Sequence, residues 1–184
     1  MKNKILHLLI FSGMLFQFSC NQHSPSDLTG AAIIPLPVEV TASGEFFELD
    51  GSTEIYFGEG VPGLQQNAEF LSLKLNEITG SSSGIKSTDE LPMDGLFITS
   101  PEEEEHLGEE EYVLNIGKKL IAIKAATPAG IFNGIQTLLQ LLPVNYSPGI
   151  THKIATGTIR DFPEYAYRGA MLDVARPFFS VQDV

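Results

Sequence analysis

Between residues 33 and 142 the hydrophobic pattern changes repeatedly between the period of a β-strand and the period of an α-helix. Short runs rich in β-branched and aromatic residues predict strands at 45–49, 53–57, 95–99, 112–116 and 120–124. Gly117-Lys118-Lys119 separates the last two runs. This spacing predicts a hairpin.

A first helix is predicted by apolar residues that recur at alternating spacings of four and three positions. These residues are Leu64, Ala68, Leu71, Leu75 and Ile78. Gly80 follows the last of them, and glycine there favours a left-handed cap that ends the helix.

A second helix is predicted to begin at Thr127, an N-cap residue followed by Pro128 in the first turn, and to end before Pro143. Gly130 and Gly134 lie one helical turn apart within it. The helix is too short and too polar to span a membrane, so we expect this glycine pair to let it approach a sheet closely.

Together these elements predict a compact α+β domain with two helices on one face of a mainly antiparallel or mixed sheet. We assign this domain to residues 33–150, with a turn-rich connection at 145–149. The GSSSG loop at 80–84 lacks the Lys-Ser/Thr of a phosphate-binding loop, and we predict no nucleotide site there.

The first twenty residues have the layout of a secretory signal, with Lys2 and Lys4 before an apolar stretch at 5–18. Cys20, the only cysteine, excludes an internal disulfide and a cysteine-based zinc site. Its placement predicts lipid attachment, with residues 21–32 as a tether and the bacterial cell envelope as the location. The alternative is a plain cleaved signal with an incidental cysteine.

Charge limits the possible partners. Without Lys2 and Lys4 the chain has 9 basic and 23 acidic residues, a net charge of −14, and we predict no nucleic-acid binding. The acidic run at 101–111 lacks the ligand spacing of a calcium loop. We predict a solvated loop there, and we assign the chain no metal and no cofactor.

The sequence TIRDFPEYAYRGAMLDVARPFF at 158–179 resembles the entry into the catalytic domain of the β-N-acetylhexosaminidases, glycoside hydrolase family 20. The matching residues are Asp161, Pro163, Tyr167, Arg168, Gly169, Met171, Leu172, Asp173, Arg176, Phe178 and Phe179. IIPLPVEV at 33–40 and ATPAGIFNGIQTLLQLL at 126–142 resemble the start and end of the family's accessory domain. Pro177 departs from the histidine of many members.

The resemblance implies that residues 158–184 begin a truncated (β/α)₈ barrel, with its first strand at 167–175. It implies hydrolysis of terminal N-acetylglucosamine or N-acetylgalactosamine, by a retaining mechanism in which the substrate's acetamido group is the nucleophile. The resemblance also implies that Arg168 binds the terminal sugar. The family's catalytic Asp-Glu pair has no counterpart here, because Asp89-Glu90 is the only such dipeptide and lies far upstream. We therefore expect this chain alone to be inactive.

We interpret Asp173 and Arg176 as structural, because charges within an apolar strand need partners. Two hypotheses remain. The chain is the N-terminal part of an exported β-N-acetylhexosaminidase, or it is a complete noncatalytic surface lipoprotein that binds a glycan or a protein.

Overall fold

The computed structural model describes residues 26–100, 107–143, 149–169, 171 and 180. Its helices are α1 (Leu64–Thr79) and α2 (Pro128–Gln140). Its strands are β1 (Glu39–Leu49), β2 (Ile55–Gly58), β3 (Ile85–Thr88), β4 (Gly95–Thr99), β5 (Tyr112–Ile116), β6 (Leu120–Ala125) and β7 (His152–Asp161).

All seven strands form one sheet in the order β1-β7-β5-β6-β4-β2-β3. The three pairs on the β1 side are antiparallel, and the three pairs on the β3 side are parallel. The predicted α+β domain with a mixed sheet is therefore confirmed. The β5–β6 hairpin is confirmed as well, with the Gly117 N–H donating to the Leu120 carbonyl at 2.9 Å.

The predicted end of α1 at Gly80 and the predicted start of α2 at Thr127 are both confirmed. Gly80 takes a left-handed conformation (φ 72°) after α1. At the start of α2 the Thr127 hydroxyl accepts hydrogen bonds from the N–H groups of Ala129 and Gly130. These caps satisfy backbone groups that the helices themselves leave unpaired.

The helices lie side by side, α1 on β2, β3 and β4 and α2 on β5 and β6. Their contact includes the rings of Phe70 and Phe132, whose centroids are 5.3 Å apart. As predicted, the glycine pair of α2 lets this helix approach the sheet closely. A Cβ on Gly130 would lie 2.4 Å from the Glu111 carbonyl oxygen, and a Cβ on Gly134 would lie 2.6 Å from Ile123 Cγ2.

The segment before β1 contributes to the core. Leu28, in a 3₁₀ turn at Leu28–Gly30, is only 1% exposed and belongs to the same hydrophobic cluster as the helices. The prediction of a tether over residues 21–32 is therefore wrong from Leu28 onward. A buried leucine fixes this part of the chain on β1 and β7.

β7 lies where a domain boundary was predicted. It pairs with β1 on one side and β5 on the other, so the sheet continues to Asp161. The predicted domain end at residue 150 and the predicted barrel start at residue 158 are therefore both too early, because this domain extends at least to Asp161.

Little of the predicted barrel start is described. Of its first strand, 167–175, the structure describes residues 167–169 and 171, which are not in a strand. Asp173, Arg176 and Pro177 lie outside the described residues, as does Cys20. Among the described helices none has both the length and the apolar character needed to cross a bilayer.

Candidate functional site

A groove of about 560 Å³ opens beside α2, over the start of β5 and the end of β7. One wall is α2 and the other is the segment 34–38. The chain that follows β7 closes one end. The lining residues are Ile34, Pro35, Leu36, Val38, Glu110, Tyr112, Asn133, Gln136, Thr137, Gln140, Asp161, Phe162, Pro163, Glu164, Tyr165 and Arg168.

The floor of the groove holds one fixed hydroxyl group. Tyr112 is buried, and its hydroxyl lies 2.6 Å from the Thr137 hydroxyl. The pKa of Tyr112 is raised to about 12, mainly by burial; the hydrogen bond with Thr137 acts in the opposite direction, and the nearby Asp161 carboxylate adds to the rise. The phenol therefore stays protonated and works as a hydrogen-bonding anchor.

Two hydrogen bonds hold the wall formed by residues 34–38. The Ile34 N–H donates to Gln140 Oε1 at 2.9 Å, and the Val38 N–H donates to Asp161 Oδ1 at 3.2 Å. The segment is thus attached to α2 at one point and to β7 at another. These bonds set the width of the groove.

The end of the acidic run lies beside the groove, and one of its members is buried. Glu111 Oε1 accepts from Arg160 Nε at 2.8 Å and lies 2.7 Å from Arg160 Nη2. Glu111 Oε2 accepts the Gly108 N–H at 2.9 Å. The solvated-loop prediction is therefore wrong for Glu111, because this carboxylate has an arginine partner on β7. Residues 101–106 lie outside the described part.

The same acidic segment is attached to α2 through its backbone. The Thr127 hydroxyl donates to the Glu109 carbonyl oxygen, and Asn133 Nδ2 donates to the Glu110 carbonyl oxygen at 3.0 Å. These bonds leave the Glu110 side chain directed toward the chain that follows β7.

Arg168, the predicted sugar-binding residue, lies at the rim of the groove with its side chain half-exposed. Its Nη2 donates to Glu110 Oε1 at 2.6 Å, and its Nη1 donates to the Tyr165 carbonyl oxygen at 2.6 Å. Both guanidinium Nη atoms thus have protein partners here. Nothing in these contacts tests sugar binding, and that role stays a prediction.

Asp89 and Glu90 are exposed on the connection between β3 and β4. Four strand spacings separate β3 from β5, about 19 Å at about 4.8 Å each. The only Asp-Glu dipeptide is thus well separated from Arg168. A carboxylate pair that acted together with Arg168 on one ligand would have to lie much nearer to it.

The sequence did not reveal Glu110, Glu111 and Arg160 as parts of this region. Glu111 and Arg160 are 49 positions apart, and Glu110 and Arg168 are 58 apart. The sequence offered one indication that these charges could meet. Arg160 and Arg168 both lie shortly after the predicted domain boundary, and the acidic run directly precedes a predicted strand. Without the pairing of β5 with β7, nothing connects these charges.

A second cavity of about 670 Å³ lies near the opposite ends of β5 and β7. Three lysines and five carboxylates line it, including the pairs Lys118–Glu45 and Lys153–Glu48. Because the opposite charges are interspersed and partly paired, this cavity offers no single-sign surface for a charged ligand. Among the described residues, no three His, Cys, Asp or Glu side chains are grouped to hold a metal ion.

Comparison with known proteins adds to this geometry. The family model for glycosyl hydrolase family 20, domain 2, matches residues 30–162, which include all seven strands. A β-hexosaminidase of Porphyromonas gingivalis is 33% identical over 180 residues, covering 93% of this chain and 23% of that protein. A putative β-hexosaminidase of Margaritifera margaritifera is 30% identical, and the chain spans 14% of its length.

Solved structures resemble the fold closely. The family 20 β-N-acetylhexosaminidase of Streptomyces coelicolor superimposes with a TM-score of 0.71 at 32% identity, covering 88% of this chain and 31% of that one. The N-acetyl-β-hexosaminidase of Streptomyces plicatus in complex with Thio-NAglucal gives 0.72 at 30% identity, covering 89% and 32%. The chain therefore spans about a third of these solved chains and less than a quarter of the curated relatives just named.

Proposed function

The chain belongs to glycosyl hydrolase family 20, and on this basis we propose that it is part of a β-N-acetylhexosaminidase that removes terminal N-acetylglucosamine or N-acetylgalactosamine from glycans. The match over residues 30–162 carries this proposal, because it covers the complete sheet together with both helices. The Streptomyces plicatus enzyme, whose fold this chain resembles, has been solved with Thio-NAglucal and, as a mutant, with the product GlcNAc.

The proposed reaction is substrate-assisted and retaining. The acetamido oxygen of the terminal sugar attacks C1 while a general acid protonates the departing glycosidic oxygen. Water then opens the cyclic intermediate and restores the acetamido group. We assign neither the general acid nor the carboxylate that orients the acetamido group to this chain, and we expect the 184-residue chain alone to be inactive.

Arg168 is the one residue of this chain that we place on the substrate. A guanidinium group is a rigid, always charged donor of several N–H groups, which suits the hydroxyls of a sugar ring. Its Nη2 is bonded here to Glu110. We propose that Arg168 exchanges this ion pair for sugar hydroxyls when it binds substrate.

Two variants separate sugar binding from a structural role of Arg168. In the protein expressed from its complete gene, Arg168→Ala removes charge-assisted hydrogen bonds of about 1.5–3 kcal/mol each, so kcat/KM should fall at least about tenfold. Glu110→Gln breaks the same ion pair without touching the guanidinium, so kcat/KM should stay within about threefold. The assay is release of nitrophenol from the N-acetyl-β-glucosaminide and the N-acetyl-β-galactosaminide.

The two substitutions would give equal losses if Arg168 only paired with Glu110, and that result would contradict its role on the sugar. A complete protein that hydrolyses neither glycoside would contradict the proposed function itself. It would favour the alternative of a noncatalytic surface module. Turnover by the 184-residue chain would show instead that both catalytic groups lie within it.

We further propose that the protein is exported and anchored at a bacterial envelope through a lipid on Cys20. The support is the order of a basic start, an apolar stretch, a lone cysteine and a polar segment. Cells fed a labelled fatty acid should incorporate the label into the protein but not into a Cys20→Ser variant. Recovery of unlabelled protein whose N-terminus is not residue 20 would contradict the anchor.

A further inference from the structure

The second cavity lies at the opposite end of the sheet from the groove. Its volume of about 670 Å³ falls within the range of about 300–1,000 Å³ that is typical of small-molecule sites. Its walls come from the second half of β1, the connection from β1 to β2, the start of β4, the β5–β6 turn and the start of β7. Lys153 at the cavity and Asp161 at the groove are near the two ends of β7, roughly 26 Å apart at about 3.3 Å per residue. The cavity is therefore a site of its own.

Backbone hydrogen bonds hold the walls of this cavity together. The Gly95 N–H donates to the Lys119 carbonyl oxygen at 2.9 Å, and the Leu96 N–H donates to the Glu54 carbonyl oxygen at 2.9 Å. Gly95 has a positive φ of 96°, and a Cβ there would lie 2.6 Å from the Glu54 carbonyl oxygen, so only glycine allows this close approach. The cavity thus has its shape before a ligand binds, which lowers the entropic cost of binding.

The charges on the walls are largely occupied by contacts within the protein. Lys118 Nζ lies 3.2 Å from Glu45 Oε1. Asp50 Oδ1 accepts hydrogen bonds from the N–H and the hydroxyl of Ser52, at 2.9 and 2.6 Å. A ligand with a net charge of either sign would meet charges of its own sign on these walls, which opposes its binding. The cavity therefore favours a neutral ligand with many polar groups.

Two exposed charged side chains at the cavity are free to bind such a ligand. Asp94 and Lys119 directly precede Gly95 of β4 and Leu120 of β6, which are paired across these neighbouring strands. Among the described residues neither side chain has a hydrogen bond or an ion pair. A carboxylate accepts hydrogen bonds and an ammonium group donates them. Together they offer both kinds of partner to a hydroxyl group, which itself donates and accepts.

Phe46 gives the cavity an aromatic surface. Its side chain is only partly buried, whereas the adjacent Phe47 belongs to the core. Lys153 Nζ lies 5.6 Å from the centroid of the Phe46 ring, because the face of an aromatic ring attracts positive charge. The C–H groups of a sugar ring carry a partial positive charge and would stack on the same face. Lys153 can be displaced at little cost, since its ion pair with Glu48 is long, at 3.8 Å, and exposed.

We propose that this cavity binds a neutral oligosaccharide, with Phe46 stacking on a sugar ring and with Asp94 and Lys119 bonded to its hydroxyls. This inference rests on the proposed function, which makes the ligand a chain of N-acetylhexosamine units. The catalytic groups act on the end of such a chain, and this site holds another part of it. A second point of attachment raises the effective concentration of the chain's end where it is cleaved.

An NMR titration of the 184-residue chain with chitotetraose, an oligomer of N-acetylglucosamine, tests the proposal. We expect the amide signals of 45–54, 94–95 and 117–119 to shift with one common Kd, because these residues line the cavity. The same shifts should persist in Arg168→Ala, which removes the proposed sugar-binding residue at the groove. Sugar binding at the cavity is thereby separated from sugar binding by Arg168.

A matched pair of phenylalanines supplies the variant and its control. Phe46→Ala removes the stacking surface and should raise the Kd for chitotetraose about tenfold or more. Phe162→Ala removes a ring that is 42% exposed at the groove, and it should leave the Kd at the cavity unchanged. If Phe46→Ala fails to fold, Lys119→Ala takes its place, because this side chain is exposed in the β5–β6 turn. It should raise the same Kd at least about threefold, through the loss of a charge-assisted hydrogen bond.

Three results would overturn the proposal. The first is the absence of shifts around the cavity when chitotetraose is added. The second is an equal Kd in the wild type and in the folded cavity variant. The third is the same set of shifts on addition of inorganic phosphate alone, which would make the cavity an anion site. None of these measurements requires hydrolysis. A complete protein without glycosidase activity would therefore contradict the proposed function, whereas missing shifts would contradict only the cavity site.

Discussion

At the scale of single residues, Tyr112 connects the core to the groove. Its ring contacts α2 at Gly134, where a Cβ would lie 3.1 Å from Tyr112 Cδ2, and its hydroxyl is held by Thr137. Burial is the main reason why the pKa of Tyr112 rises from 10.0 to about 12. The folded state thus keeps a proton that the unfolded state loses above pH 10.

This difference predicts an alkaline loss of stability. A group whose pKa is raised by folding contributes its full stability below the unfolded pKa and loses it as the pH rises toward the folded pKa. Between pH 9 and pH 11, the free energy of unfolding should therefore fall by about 1.4 kcal/mol more in the wild-type protein than in Tyr112→Phe. Urea denaturation at the two pH values measures the difference.

The control for this experiment is Tyr167→Phe, because the Tyr167 side chain is 92% exposed. It should lose as much stability at high pH as the wild type does. Lysines also titrate in this range, but they are the same in all three proteins. Equal losses in Tyr112→Phe and wild type would mean that the Tyr112 phenol is not held protonated by the fold.

At the scale of elements, α2 shows which features the sequence can predict. Thr127, Pro128 and the glycine pair are local signals, and each acts in the structure as its chemistry indicates. The order of strands in the sheet cannot be predicted in this way, because it depends on contacts between residues far apart in the sequence. The sequence predicted five of the seven strands in the described part of the chain but no order among them beyond one hairpin.

The two missed strands and the shortened β1 have physical explanations. β3 is a four-residue edge strand, with too few positions to show a period. In β7, the polar His152 and Thr156 occupy buried positions, which obscures the alternation. In β1, the register shifts between Ala42 and Phe46, around Gly44 with its positive φ of 80°. An irregularity of this kind breaks the alternation, so only the second half was recognised.

Gly130 gives a prediction at this scale. Alanine usually stabilises a helix interior by up to about 1 kcal/mol relative to glycine. Here the added Cβ would lie 2.4 Å from the Glu111 carbonyl oxygen and 2.7 Å from Ala125 Cβ, so α2 would have to move away from the sheet. Because such overpacking costs about 1–3 kcal/mol, we expect Gly130→Ala to lower the free energy of unfolding by about 1–2 kcal/mol.

Gly108→Ala is the control, since a Cβ there meets its nearest atom, Glu111 Oε2, at an ordinary 3.6 Å. It should change the free energy of unfolding by less than about 0.5 kcal/mol. Chemical denaturation of both variants gives the comparison. A Gly130→Ala protein as stable as the wild type would show that the contact between α2 and the sheet is looser than the structure indicates.

At the scale of the whole molecule, the order of the strands decides what can fold alone. The last strand among the described residues, β7, is next to last in the sheet, between β1 and β5. The sequence suggests a domain that ends at the turn-rich residues 145–149, because Pro and Gly near the end of α2 resemble a linker. The sheet shows that the chain returns after this turn to complete its own core. The family match, which runs to residue 162, agrees with that boundary.

This topology predicts that a chain of residues 26–150 does not fold, whereas one of residues 26–162 does. Without β7, β1 has no neighbour in the sheet, and the core loses the burial of four side chains: Ile154 and Ile159 are removed, and Phe47 and Leu49 lose the strand they pack beside. At about 1.5–3 kcal/mol each, their burial contributes about 6–12 kcal/mol, which is comparable to the whole stability of a typical domain, about 5–15 kcal/mol. Circular dichroism during heating should show a cooperative transition only for 26–162. A cooperative transition in 26–150 would mean that β2 to β6 and the two helices form a sufficient core by themselves, with β1 and β7 as a dispensable addition.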